Sequence, residues 1–136
     1  MADQVHRLLL ASFTKIGAAA MMGNIDVETG GSFDYTTKQR GGNGYGLFQF
    51  DFMKQYYNKW RDEQKLQDSA ETQIKFVKAT LTDRKDIVGA GNVKKINDAL
   101  NGNDLDNATT VFCNLWEKPG VPHLDRRIAA AKKYYK

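Results

Sequence analysis

AAAMMGNIDVETGGSF, residues 18–33, is the stretch on which the fold turns. Alanine and methionine favour helix, and Met21, Ile25 and Glu28 recur at the spacing that puts them on one helical face. Gly30-Gly31 then stops the helix. A break at Gly17 is expected to separate it from an earlier helix carrying Val5, Leu8, Leu9, Phe13 and Ile16. An apolar helical stripe thus ends on a carboxyl group. If the stripe is buried, desolvation raises the pKa of Glu28 and keeps its proton near neutrality, which a general acid requires. The competing reading is a solvated glutamate at a helix end, where the dipole slightly disfavours negative charge.

Outward from this segment, residues 31–51 lose the helical period and are rich in Gly, Ser, Thr, Asn and aromatics. A short hairpin turning near Gly41-Gly42-Asn43-Gly44 is the one plausible β segment. Helical patterns resume with a stripe of Phe52, Tyr56 and Trp60. Asp68, with Glu71 three residues on, opens a helix bearing Ala70, Ile74, Val77 and Leu81. Asn92 is placed to cap a helix over 93–100, and Asp106 one that carries Ala108, Val111, Phe112 and Leu115. A last helix runs from about Leu124 to Tyr135. The expected architecture is one domain over residues 1–136, α+β but mainly α, with a small glycine-rich β/loop lobe.

Composition narrows the function classes. With 136 residues, 41% hydrophobic and 11% aromatic, the chain can bury one core. Its net charge of +4 comes from mixed charges and favours an acidic partner without naming it. The N-terminal MADQVHRLLLASFTKIG reads as a helix, neither a signal peptide nor a membrane span. Cys113 is the single cysteine, so no intrachain disulfide forms. It sits among Val111, Phe112 and Leu115 and reads as a small buried apolar residue. His6 and His123 lie far apart and match no zinc spacing, so neither metal nor cofactor is expected. Gly41 to Gly46 lacks the Lys-Ser/Thr of a phosphate loop. Arg126, Arg127, Lys132 and Lys133 form a basic face, but aromatics do not interleave with them as nucleic-acid stacking requires.

GNIDVETGGSF, residues 23–33, resembles the catalytic helix of phage tail lysozymes, which reads GN-x-x-x-E-[ST]-G-x-x-F. NGYGLFQFD, residues 43–51, resembles the GNGFGLMQVD stretch of goose-type lysozymes and the YGL-x-Q-[WF] segment of the phage proteins. FCNLWEKPG, residues 112–120, followed by Arg126 and Arg127, is similar to the phage family's F-x-x-x-[YW]-E-[KR]-P element and closing helix. The likeness spans nearly the whole chain. It implies a lysozyme-like, goose-type helical domain that cleaves the β-1,4 bond between N-acetylmuramic acid and N-acetylglucosamine in peptidoglycan.

By the same resemblance Glu28 falls on the general acid, Tyr45 and Gln49 on residues lining the cleft floor, and Asp51 on an aspartate that positions a water for inverting attack. Inverting enzymes hold the two carboxyl groups about 6.5–9.5 Å apart. Goose-type enzymes carry another aspartate before the glycine run, where this chain reads Lys38-Gln39-Arg40. That departure leaves Asp51 as the better candidate for water activation, ahead of Asp34 and Asp26. It also leaves open a lytic transglycosylase, in which the 6-hydroxyl of N-acetylmuramic acid attacks and Glu28 acts alone. A non-catalytic wall-binding module of the same fold is the alternative from another class. Tyr35, Tyr45 and Trp116 offer flat faces to a sugar, and Gln39 and Gln49 offer amides. Core packing is the competing reading for each aromatic, and the favoured one for Phe48, Phe50 and Phe52. The implied partners are peptidoglycan glycan strands and a phage tail assembly, without nucleic acid or membrane. The domain is expected to be a monomer, sited in the virion tail or in host cytoplasm before release to the wall.

Overall fold

Thr14 and Gly30 bound the helix around which the molecule is built. The computed structural model describes residues 1–135. Among them are seven α-helices: α1 Ala2–Ser12, α2 Lys15–Thr29, α3 Met53–Gln64, α4 Ala70–Thr80, α5 Ala90–Leu100, α6 Leu105–Val111 and α7 Leu124–Tyr134. A π-helical turn, Phe112–Glu117, continues α6.

α2 is buried all round from Ile16 to Ile25, the mark of a central helix. It packs against α1, α5, α6, the π-helical turn and α7. Its start differs from the sequence expectation. The chain breaks at Phe13-Thr14, not at Gly17, because the Thr14 hydroxyl accepts from Gly17 N–H at 3.0 Å and caps the helix. The same hydroxyl donates to the Leu100 carbonyl at 2.6 Å, tying the helix start to the end of α5. The expected end is observed: Gly30, at φ 62°, takes the left-handed C-terminal position.

Gly23 lets α7 cross α2 at close range. A Cβ at this position would stand 2.3 Å from the Arg127 carbonyl oxygen and 2.8 Å from Ala131 Cβ and N. No side chain fits there without moving a backbone.

Residues 31–52 contain two isolated bridges, Lys38 with Tyr45 and Tyr45 with Phe50, and no extended strand. The expected hairpin is thus reduced to single pairings, and the chain is mainly helical. Side chains hold this segment instead. Asp68 accepts from the Tyr45 hydroxyl at 2.5 Å, the Tyr57 hydroxyl at 2.5 Å and Gln73 Nε2 at 3.0 Å. Gln73, fully buried, also donates to the Tyr35 carbonyl and accepts from Leu47 N–H. Asp68 is therefore an anchor for the loop and not the expected cap of α4, a role that Ser69 fills by accepting from Thr72 N–H.

Two other caps shift for similar reasons. Asp104, not Asp106, caps α6 through Asn107 N–H. α5 starts at Ala90, so Asn92 lies inside it.

The core is aromatic. Phe48 and Phe50 pack with Tyr57, Phe76, Phe112 and Trp116, and Phe112 stacks on Trp116 at 5.5 Å. Phe52 does not join them. The buried face of α3 is Met53, Tyr57 and Trp60, one position round from the expected stripe, so Phe52 and Tyr56 turn outward and meet edge to face at the surface.

Candidate active site

The last turn of α2 opens into a cleft of about 470 Å³. Val27 and Glu28 form one wall, and Gln39, Gln49 and Asp51 of the glycine-rich segment form another. The third comprises Glu117 at the end of the π-helical turn, the connection from Lys118 to His123, and Arg127 of α7.

Glu28 is held by a buried cation. Arg127 is 1% exposed, and its Nη1 donates to Glu28 Oε2 at 3.1 Å and to Asn24 Oδ1 at 2.9 Å, while its Nε donates to the Pro122 carbonyl at 2.6 Å. Asn24 is one turn before Glu28 on the same face of α2 and is itself fixed by donating to the Ala20 carbonyl. Such a buried ion pair adds little net stability, since desolving both charges offsets their attraction. Its effect is positional: α2, α7 and the 118–123 connection share one guanidinium.

Burial raises the pKa of Glu28, against the Arg127 charge, the Arg127 hydrogen bond and a hydrogen bond with Glu117, all of which lower it. Glu117 is perturbed further. Burial first, and the neighbouring Glu28 second, push it well above the usual carboxylate range, with Arg127 opposing. Its Oε2 is sealed from solvent and, counted as a carboxylate oxygen, has no hydrogen-bond partner among the described residues.

Asp51 reaches the same cleft from the opposite segment. It does not cap α3, whose N-cap is Phe52 with no side-chain cap bond. Among the described residues its carboxylate has no hydrogen bond or ion pair, so it is free to meet water or substrate. Gln49, at φ 51°, donates its amide to the Thr37 and Gly46 carbonyls and presents its edge to the cleft. Gln39 accepts from Gly44 N–H.

Of the residues singled out in the sequence, Glu28, Asp51, Gln39 and Gln49 are brought together here. The three aromatics are not. The Tyr45 hydroxyl is turned onto Asp68, with burial and that carboxylate raising its pKa. Tyr35 packs against the core. Trp116 is 3% exposed with its indole N–H on the Thr80 hydroxyl, and it lines a separate 200 Å³ hollow that shares Gln49, Asp51, Glu117 and Lys118 with the cleft. Asp34 is spent on a turn, accepting from Thr36 N–H and its hydroxyl, which hold its carboxyl below the ordinary range. Asp26 faces a different shallow groove with Arg126 and Lys133.

Glu117, Arg127 and His123 are among the cleft residues that sequence reasoning missed. The first two lay inside motif segments already singled out, as the glutamate of WEKP and the second arginine of the closing helix. Among the described residues no group of three or more His, Cys, Asp or Glu side chains is placed to hold a metal ion.

The model of the phage tail lysozyme family matches residues 2–136. The chain belongs to the phage tail lysozyme family. That membership gives it a lysozyme-like role in degrading peptidoglycan and an association with phage tails. No curated protein matches it. No helix among the described residues is long and apolar enough to cross a membrane.

Proposed function

We propose that this member of the phage tail lysozyme family is a muramidase, hydrolysing the bond between N-acetylmuramic acid and N-acetylglucosamine with Glu28 as general acid. One observation carries the reading: a partly desolvated glutamate and a free aspartate face one cleft from two different segments. Glu28 donates its proton to the glycosidic oxygen, Asp51 takes a proton from the attacking water, and the sugar leaves with inverted configuration. Gln39 and Gln49 bind N-acetyl or hydroxyl groups along the strand. By this reading the fold is of the goose type and the 31–52 segment is its glycine-rich lobe. The enzyme works as a monomeric domain at the phage tail, or is held in host cytoplasm before release to the wall.

Glu28→Gln is the test. The amide keeps the shape and the Arg127 contact but has no acidic proton, so clearing of a peptidoglycan suspension should fall on the order of 10²-fold or more. A folded variant that still clears the suspension refutes the assignment. A wild-type protein that binds the wall without clearing it is a non-catalytic module instead.

A further inference from the structure

We propose that Glu117 is a positioning residue for the acid: Glu28 and Glu117 share one proton beside Arg127, and Glu117 is what keeps that proton in the cleft. The inference rests on the reading of Glu28 as general acid, but it makes a claim about the resting protein that is tested without substrate.

The pair of Glu28 and Arg127 poses a difficulty for an acid. A carboxyl group with a buried guanidinium 3.1 Å from its oxygen is stabilised as the ion, and an ionised group has no proton to give. Burial favours the neutral acid, but Arg127 opposes it, so Glu28 alone holds its proton less firmly than its burial would allow. Glu117 changes the charge balance. The guanidinium neutralises one carboxylate, and a second carboxylate against the first in a water-poor corner is unfavourable, so one of the two is protonated.

Geometry points the same way. Glu117 Oε2 is buried with no donor directed at it, which is costly for a charged oxygen. As a carboxylic acid the Glu117 side chain becomes a donor, and the side chain it can bond is Glu28. The π-helical turn delivers the group there, with Lys118 in the left-handed conformation turning the chain away immediately after it.

The other charged or titratable groups around the pair are Lys118 and His123 of the connection to α7, Asp51 across the cleft and the Cys113 thiol behind. Lys118, His123 and Asp51 are exposed and act on the pair through solvent, where their fields are screened. In turnover the shared proton passes through Glu28 to the leaving oxygen, and the water proton goes to Asp51. Solvent then takes the proton from Asp51 and returns one to the pair, so the enzyme is restored.

The experiment is infrared spectroscopy of the unliganded full chain at neutral pH, reading the carboxylic acid C=O band apart from the ionised carboxylate bands. Wild type should show one protonated carboxyl. Glu117→Gln should abolish it, since Glu28 alone beside Arg127 ionises, and on raising the pH Glu28→Gln should lose it earlier than wild type, because the neighbouring carboxylate that helps hold the proton on Glu117 is gone. Absence of the band in wild type, its persistence in Glu117→Gln, or a Glu28→Gln variant that loses it at the same pH as wild type overturns the proposal, the last because Glu117 would then be an isolated buried acid. In parallel, Glu117→Gln should shift the alkaline limb of the activity profile to lower pH while recovering turnover in acid, which a purely structural loss does not do. If Glu28→Gln still clears peptidoglycan, the acid assignment fails, and the infrared result on the shared proton stands or falls separately.

Discussion

Gly23→Ala adds one methyl group at the point where α2 and α7 are closest. Its Cβ would lie 2.3 Å from the Arg127 carbonyl oxygen and 2.8 Å from Ala131, and both obstacles belong to backbone or to a side chain with no freedom to turn away. Ordinary carbon contacts begin near 3.5 Å, so α7 must retreat by about 1 Å. Overpacking of this kind costs about 3 kcal/mol at the upper end of the usual range. Alanine recovers up to about 1 kcal/mol through helix propensity, leaving a net loss of roughly 2 kcal/mol. For a domain of this size that is a fall in Tm of about 6–10 °C. The retreat also carries Arg127 away from Glu28 and Asn24, so clearing of peptidoglycan should drop by more than the unfolded fraction accounts for. Gly91→Ala is the control: its Cβ meets nothing within 4 Å at an exposed position in the first turn of α5, so it should gain up to about 1 kcal/mol and leave activity alone. Thermal unfolding followed by circular dichroism, with turbidity assays on the same samples, decides the matter. A Gly23→Ala protein as stable and active as wild type would refute the claim that this crossing sets the position of Arg127.

Asp51→Asn should lower hydrolysis strongly with little change in binding, because only the transition state needs the activated water. Mass spectrometry of the wild-type products must then show reducing ends. 1,6-Anhydro ends, with full activity in Asp51→Asn, would make the enzyme a transglycosylase. Burial holds Glu117 well above the usual carboxylate range, so the folded chain binds a proton that the unfolded chain has released. That contribution is complete below the unfolded pKa near 4.5 and is lost as pH rises through the folded value. Unfolding curves across this range should show stability declining with pH, and Glu117→Gln should flatten the decline. Tyr45→Phe removes one donor from Asp68 and should cost about 1.5–3 kcal/mol by denaturant unfolding, as for a hydrogen bond to a charged acceptor. An unchanged midpoint would show that the loop is held by other contacts.

The helical periods and the glycine pair at 30–31 were legible in the sequence because they report local backbone preference and burial, which repeat along the chain. The position of Glu28 followed from them. Caps were harder to place. Asp68, Asn92 and Asp106 all suit an N-cap by residue type, yet Asp68 is taken by two tyrosines and a glutamine, Asn92 lies inside its helix and Asp104 does the work assigned to Asp106. Competition from distant partners is invisible to a local rule. The same holds for the aromatics: a flat apolar face suits a sugar or a core equally well, and Trp116 went to the core because Phe112 and Phe48 were there to receive it. Arg127 looked like one more residue of a solvated basic face. Its burial depends on Asn24 and Glu28, about one hundred residues earlier, and on the space that Gly23 leaves for α7 to approach.

The six residues 112–117 wind more slowly than the helix they continue. Each residue of an α-helix advances the azimuth by about 100°, so α6, whose orientation is dictated by its seat against α2, would on its own aim position 117 wherever that seat happened to send it. The wider turn breaks this dependence. It acts as a phase adjuster between two requirements, letting Phe112 and Trp116 stack in the interior while the next side chain comes round to the cleft. Changes to the interior and changes to the cleft wall are therefore partly uncoupled along one continuous helix, and substitutions that reshape one can accumulate without re-aiming the other.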